Sequence, residues 1–341
     1  MNHIHSRRYL ITTALCLLVI ISFVFIYFFA DMSRYSKTEY LYIDRDDNID
    51  SIYTKLEPIS SPLPLKGFKT LSRHLEYTEN IRTGKYKIEP GDGALTILKK
   101  LKNGMQEPVT VTIPSVRTIE ILAARLSDKL MIDSTEIVDA LKDSTICKDY
   151  GYNTCTIISM FIPNSYEFYW NISVEKLLKR MDKESKTFWN SEKTQKAKAL
   201  DMSITEVITL ASIVDEETAN NKEKPMIAGM YYNRLNKDMP LQADPTVKFA
   251  LRDFGARRIY HKMLLADSPY NTYKNTGLPP GPIRIPSVAG IDAVLNLVKH
   301  DYLYMCAKED FSGTHNFAVT YEEHKRNARK YTQALNKRGI R

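Results

Sequence analysis

No C-x-x-C pair occurs among the four cysteines of this chain, Cys16, Cys147, Cys155 and Cys306. That argues against a zinc ribbon or a thioredoxin-type redox site. Neither a G-x-S-x-G elbow nor a P-loop is present, so serine-hydrolase and nucleotide-binding readings have no support. The histidines lack metal-ligand spacing, and no metal or other cofactor is expected. There is no basic stripe interleaved with aromatics, which makes nucleic acid the least expected partner. The longest absence is of charge. From Tyr9 to Ala30, YLITTALCLLVIISFVFIYFFA, none of the 22 residues is charged.

A helix needs about 20 apolar residues to cross a bilayer core. A cleaved signal has an apolar region of only about 7–15 residues and ends at a small-x-small site. Here the run ends in Phe28, Phe29 and Ala30, without the small pair. A lipoprotein signal would need a small residue before Cys16, where Leu15 stands. The expectation is an uncleaved transmembrane helix over 9–30, preceded by a short tail, 1–8. Arg7 and Arg8 before the run nearly balance Arg34 and Lys37 after it, so charge counting does not orient it.

What remains has the composition of a folded protein, 43% hydrophobic and 26% charged, and 341 residues suffice for about two domains. Basic side chains outnumber acidic ones 48 to 40, a net charge of +8. Such an excess suits an anionic surface, either lipid headgroups or an acidic polymer such as cell-wall glycan with its peptides. Cys16 and Cys306 sit in apolar surroundings and read as small buried hydrophobes. Cys147 and Cys155 flank a polar loop and are the pair available for a disulfide in an exported domain.

Three segments share one pattern. They begin at Ile43 (IDRDDNIDSIYTKL), Ile88 (IEPGDGALTILKKL) and Ile113 (IPSVRTIEILAARL), with apolar residues at offsets 0, +6, +9 and +13. Each reads as a short strand, a polar turn and a helix. Such units bury little alone, so the three are expected to pack into one small α/β layer. Pro58, Pro62 and Pro64 mark the connection between the first two as loop-like.

Further on, SITEVITLASIVDEETA (203–219) opens with a capping box, Ser203 and Glu206. Val207, Leu210, Ala211, Val214 and Thr218 then make one apolar stripe. Glu216 points away from it. Asp215 and Glu217 fall on its borders, about 80° to either side. A carboxyl at the edge of a buried face is partly desolvated, which raises its pKa and suits it to donate a proton near neutral pH. Spacing alone leaves both acids as candidates. The alternative is a solvated acidic helix end. Downstream, the turn-rich SPYNTYKNTGLPPGPIRIP carries the polar and aromatic groups Tyr270, Asn271 and Tyr273. Aromatic faces and amides suit sugar rings and hydroxyls.

The ordered blocks LASIVDEETA (210–219), NRL with LQADPTV (233–247), YNTY with GLPPGPI (270–283) and GTHNF (313–317) make the chain resemble the endolytic murein transglycosylases of the YceG-like family. The resemblance covers nearly the whole chain. The middle strand-turn-helix unit also resembles a LysM module, through Tyr86, Ile88, Gly91, Asp92, Leu95 and Ile97. The resemblance implies a mixed α+β fold: a membrane helix, a LysM-like subdomain over 31–108 and a larger α/β catalytic domain over 109–341.

The family's catalytic glutamate is the second acid of an E-x-E-T motif. That position is Glu217 here, and the first acid is Asp215, a candidate supporting group. Two other blocks depart from the family. Asn164 stands in IPNSYEF where an acid is usual, and Ser115-Val116 replaces a glutamate-glycine pair. Gln242, Asp244, Asn271, Tyr273 and His315 are the implied substrate contacts. Asp244 before Pro245 equally suits a turn, Tyr273 core packing, and His315 a structural role.

The implied reaction needs one carboxyl and no metal. Glu217 would protonate the oxygen between N-acetylmuramic acid and N-acetylglucosamine, then take the proton of the C6 hydroxyl, leaving a 1,6-anhydro end. A water-using muramidase and a non-catalytic glycan-binding scaffold are the rivals. The implied partners are peptidoglycan strands, the bacterial plasma membrane and cell-wall synthases. A domain cutting such strands faces outward, with the N-terminus in the cytoplasm.

Overall fold

The computed structural model describes residues 2–256 and 258–339. The chain forms two units. One comprises residues up to 111 with the short returns 129–131 and 167–172; the other holds the rest.

The first unit begins with α1 (Asn2–Phe28). Its apolar part, Ser6–Phe28, has 23 residues, enough to cross a bilayer at about 1.5 Å per residue. Cys16 is exposed on this helix. The helix stops two residues before the apolar run does. Residues 31–33 are drawn into backbone pairing, Asp31 with Gly93 and Ser33 with Ser60, and Met32 is fully buried. Gly93 permits this approach, because a Cβ there would lie 2.6 Å from the Phe29 carbonyl oxygen.

β1 (Glu39–Ile43) and β2 (Gly84–Ile88) form an antiparallel pair with Leu41 opposite Tyr86. Alternation puts Leu41, Ile43, Tyr86 and Ile88 into the core. α2 (Ile49–Leu56) and α4 (Ala94–Lys102) follow these strands and bury Ile52, Leu56, Ile97 and Leu101. Asn48 and Ser51 cap α2 reciprocally.

The two turns are locked alike. Asp47 accepts the Asp44 amide at 2.7 Å and an ammonium hydrogen bond from Lys55, which also reaches the Tyr42 carbonyl at 3.0 Å. Asp92 accepts the Glu89 amide at 2.8 Å and Lys100 at 2.6 Å, and Lys100 reaches the Lys87 carbonyl at 3.2 Å. The proline-rich connection is not a loop. It holds α3 (Pro62–His74), with Pro62 and Pro64 in the first turn, where the missing N–H groups have no intrahelical partner to lose.

The third strand-turn-helix unit forms as expected, with β3 (Val109–Thr112) followed by α5 (Ile119–Ser127), but its strand does not pair with β1 or β2. β3 pairs with β4 (Ser165–Phe168). The Ile113 amide donates to the Asn164 carbonyl at 2.8 Å, so the partner comes from later in the chain.

In the second unit, α6 (Ser134–Lys142), α7 (Ser144–Asp149), α8 (Val174–Phe188) and α9 (Ser191–Ala199) lead to α10 (Ile204–Glu217). The Ser203–Glu206 capping box is present. α10 is buried on every side from Val207 to Val214, not on one stripe. Around it pack α11 (Lys224–Leu235), α12 (Asp244–Ala250) and, after the short α13 (His261–Leu264), α14 (Val288–Leu295). Ser212 resolves its own polarity there, donating to the Thr209 carbonyl at 2.7 Å and accepting the Ile283 amide at 3.0 Å. β5 (Tyr304–Ala307), β6 (His315–Ala318) and α15 (Tyr321–Lys337) complete the unit. All four cysteines are free. Cys147 is buried and Cys155 exposed, so the disulfide is not formed.

Candidate active site

Everything in the site hangs on the C-terminal turn of α10. Thr218 turns extended (φ −146°, ψ 139°) and stops the helix at Glu217. Three acids thus gather at the helix end, where the dipole disfavours negative charge. Each is answered differently.

Asp215 receives Lys224 Nζ at 2.7 Å, the Ser287 amide at 2.5 Å and Ser287 Oγ at 3.0 Å. Both partners of the ion pair are almost fully buried. Asp215 thereby ties the starts of α11 and α14 to α10. The fit is tight, because a Cβ on Gly290 would come within 2.5 Å of its carboxylate. Asp215 does not line the cavity at Glu217.

Glu216 is not solvated. Arg117 grips it with two hydrogen bonds at 2.8 and 2.9 Å, and Arg284 adds one at 3.0 Å. Arg284 also holds Ser115, at its hydroxyl and its carbonyl. The turn at Ser115-Val116 is thereby fastened beside α10.

Glu217 forms no ion pair among the described residues. Its one hydrogen bond comes from the Tyr231 hydroxyl at 2.7 Å. Burial dominates and pushes its pKa up to about 7, the Tyr231 bond opposes this, and the nearby Asp244 charge adds to it. Tyr231 itself is held far above the ordinary phenol range by burial and by the Glu217 charge, so it stays a donor. At neutral pH Glu217 is therefore poised between acid and carboxylate, and it faces open space.

That space is a cavity of about 240 Å³. Gln242, Asp244, Tyr273, Arg234 and His315 give it polar walls, and Met305, Cys306 and Ala307 of β5 line another side. Cys306 is accordingly half-buried at a cavity wall, not in a core. Tyr273 donates to Asp244 at 2.6 Å. Gln242 sits in the left-handed region (φ 51°), a conformation that is uncommon for a non-glycine residue. Its amide is tied to the Thr272 carbonyl at 3.0 Å. Arg234 fastens the same segment by donating to the carbonyls of Pro240, Leu241 and Leu303. His315 is held by Glu223, which accepts its amide at 2.7 Å and bonds Nδ1 at 2.9 Å.

Asn271 is the expected contact that fails. It is fully buried, and its amide donates to the carbonyls of Leu264 and Ala266. It shapes the loop and does not reach the cavity. Tyr231, Arg234 and Glu223 were not anticipated. The first two lie three residues apart on α11, in the MYYNRL segment, and helical spacing puts them on one face. Glu223 had no local signal; its partner is 92 residues away. Among the described residues no group of three or more His, Cys, Asp or Glu could hold a metal ion.

The comparisons with known proteins agree with this architecture. The chain is 30% identical over 292 residues to a Bacillus subtilis (strain 168) protein named endolytic murein transglycosylase, covering 80% of each. A Streptococcus pneumoniae (strain D39 / NCTC 7466) protein of the same name is 28% identical over 327 residues, 86% of this chain and 58% of that one. The 2.6 Å crystal structure of a yceG-like protein from Listeria monocytogenes superposes with a TM-score of 0.56 at 28% identity, over 86% of this chain and 99% of that one. The YceG-like family model matches residues 41–330, and the chain belongs to the YceG-like family.

Proposed function

We propose that this chain is an endolytic murein transglycosylase, a lyase in which Glu217 is the single acid and base. One observation carries the reading. A glutamate with no ion pair among the described residues, raised by burial to about pKa 7, faces a polar cavity large enough for a sugar. The names of the two relatives support the substrate.

In this reading Glu217 first donates its proton to the oxygen bridging N-acetylmuramic acid to N-acetylglucosamine. The C1–O bond breaks and the leaving sugar keeps that proton. The carboxylate then takes the proton of the C6 hydroxyl as that oxygen bonds to C1. Glu217 ends protonated, as it began, and a 1,6-anhydro end results. A pKa near the working pH lets one group perform both transfers. Tyr231 holds the carboxylate in place through the cycle. Gln242, Asp244, Tyr273 and His315 contact the sugars. α1 anchors the enzyme in the bacterial plasma membrane, with the N-terminus in the cytoplasm, the catalytic unit outside and nascent strands within reach. Cell-wall synthases making those strands are the natural partners, and limiting strand length is the outcome.

A water-using muramidase is favoured by one observation: Asp244 lines the same cavity and offers a second carboxylate. Ordinary glycosidases use such a pair. Mass analysis of digests of uncrosslinked strands separates the readings. Products lighter by one water, lost in Glu217→Gln, are expected. Reducing ends from the wild type would establish hydrolysis, and identical digests from wild type and variant would end the enzyme reading.

A further inference from the structure

A second cavity, of about 320 Å³, lies in the same unit and does not include Glu217. It is larger than the one at Glu217 and of a size that small ligands fill. Its walls combine the rings of Phe249, Phe254 and Tyr270 with the cations Arg117, Lys142 and Arg252. Lys142 and Arg252 share one acid, Glu120, at 3.0 and 3.9 Å. Arg117 holds Glu216 together with Arg284. Four cations thus answer two acids, and positive charge remains over. The reaction described above uses none of these groups.

α12 links the two cavities. Asp244 lines the first, Pro245 and Lys248 line a small depression between, and Phe249 and Arg252 line the second. At about 1.5 Å per residue, Asp244 and Phe249 are about 8 Å apart along α12. Four residues of extended peptide span about 13 Å. A short peptide attached to a sugar beside Glu217 is therefore long enough to reach the side of the second cavity that Phe249 lines.

We propose that the second cavity binds the carboxylate-bearing peptide substituent of the strand whose glycosidic bond lies at Glu217. The proposal rests on the transglycosylase reading. Excess cations would meet the peptide's free carboxylates, and the aromatic wall its aliphatic side chains and amide faces.

Calorimetric titration of the full chain in detergent tests it with two probes. One is the disaccharide bearing a tetrapeptide; the other is the same disaccharide without peptide. The wild type should bind the peptide form about tenfold more tightly. Lys142→Gln/Arg252→Gln should remove most of that ratio; both side chains are exposed (52% and 72%), so folding is spared. Glu120→Gln should tighten the peptide form a fewfold, a gain that a merely structural role for Glu120 would not produce. Equal binding of the two probes, or a ratio unmoved in the double variant, overturns the proposal. Cleavage of peptide-free and peptide-bearing strands is followed in parallel. A wild type that cuts strands but shows no preference between the probes sinks only this proposal. One that cuts neither kind of strand sinks the transglycosylase reading, and the proposal with it.

Discussion

The first two strand-turn-helix units and the third have the same local pattern and opposite uses for their turns. At offset +4 the first two carry Asp47 and Asp92, and at +12 Lys55 and Lys100. Each aspartate and lysine pair with each other, so each turn is closed on itself. The third unit carries Arg117 and Arg125 at those offsets. Arg117 cannot close such a turn. It reaches Glu216 instead, across 99 residues, and fastens the unit to the end of α10. The acids sort by the same rule. Those with a cation of their own hold structure together: Asp47, Asp92, Asp215 and Glu216. Glu217 has a phenol's hydrogen bond in place of an ion pair, and in the proposed mechanism its proton is the one that moves.

The strongest test of that contrast removes the exception. Glu217→Gln should lower strand cleavage by about 10²–10⁴-fold. It should also stabilise the protein, and the pH dependence gives the sign. Glu217 is raised from 4.5 to about 7 in the folded state. The folded protein therefore binds a proton more tightly than the unfolded chain, and wild-type stability falls as pH rises from about 4.5 through 7. At pH 8 the glutamine variant should be more stable by about 3 kcal/mol, and at pH 4 by almost nothing. Denaturant melts at the two pH values measure this; a gain at pH 4 equal to that at pH 8 would contradict it.

Next in size, Lys224→Met leaves the Asp215 carboxylate buried without its cation. Breaking a buried pair from one side costs about 3–5 kcal/mol. Chemical denaturation should register the loss, and the Asp215→Asn/Lys224→Met double variant should recover part of it.

Tyr231→Phe sharpens the contrast at Glu217. Its hydroxyl favours the carboxylate, so removing it raises the Glu217 pKa, by about one unit for a hydrogen bond to a charged group. The fall in kcat on the alkaline side should move to higher pH by that amount. A limb that stays in place would show that another group sets it.

The smallest effect belongs to the closed turns. Lys100→Met removes a partly exposed pair and should cost about 1 kcal/mol. Cleavage by the folded protein should be unaltered, because the turn serves only its own unit. A loss of kcat larger than the loss of folded protein would break the distinction between the two kinds of turn.

Local pattern made a large part of the molecule legible. The apolar run, the three strand-turn-helix units and the capping box at Ser203 all depend on neighbours within a few residues. Errors arose where local pattern met distant partners. Pro62 and Pro64 suggested a loop, although first-turn prolines are compatible with a helix. Asn271, an amide in a turn-rich segment, suggested a sugar contact, but an amide is equally able to satisfy the carbonyls of its own loop. Cys147 and Cys155 are close in sequence but differ completely in burial.

The three adjacent acids divide the account most clearly. The sequence by itself placed them at a helix end and, by spacing, put Asp215 and Glu217 at the edge of a buried face. It could not rank Asp215 against Glu217 without the family motif, because angle around a helix says nothing of what packs there. Only the tertiary structure brought Lys224 and Ser287 to Asp215, Arg117 and Arg284 to Glu216, and the Tyr231 hydroxyl to Glu217. All five of those partners lie on other segments of the second unit, and a carboxyl's pKa depends on the charge and solvent within a few ångströms, not on the residues beside it in the chain.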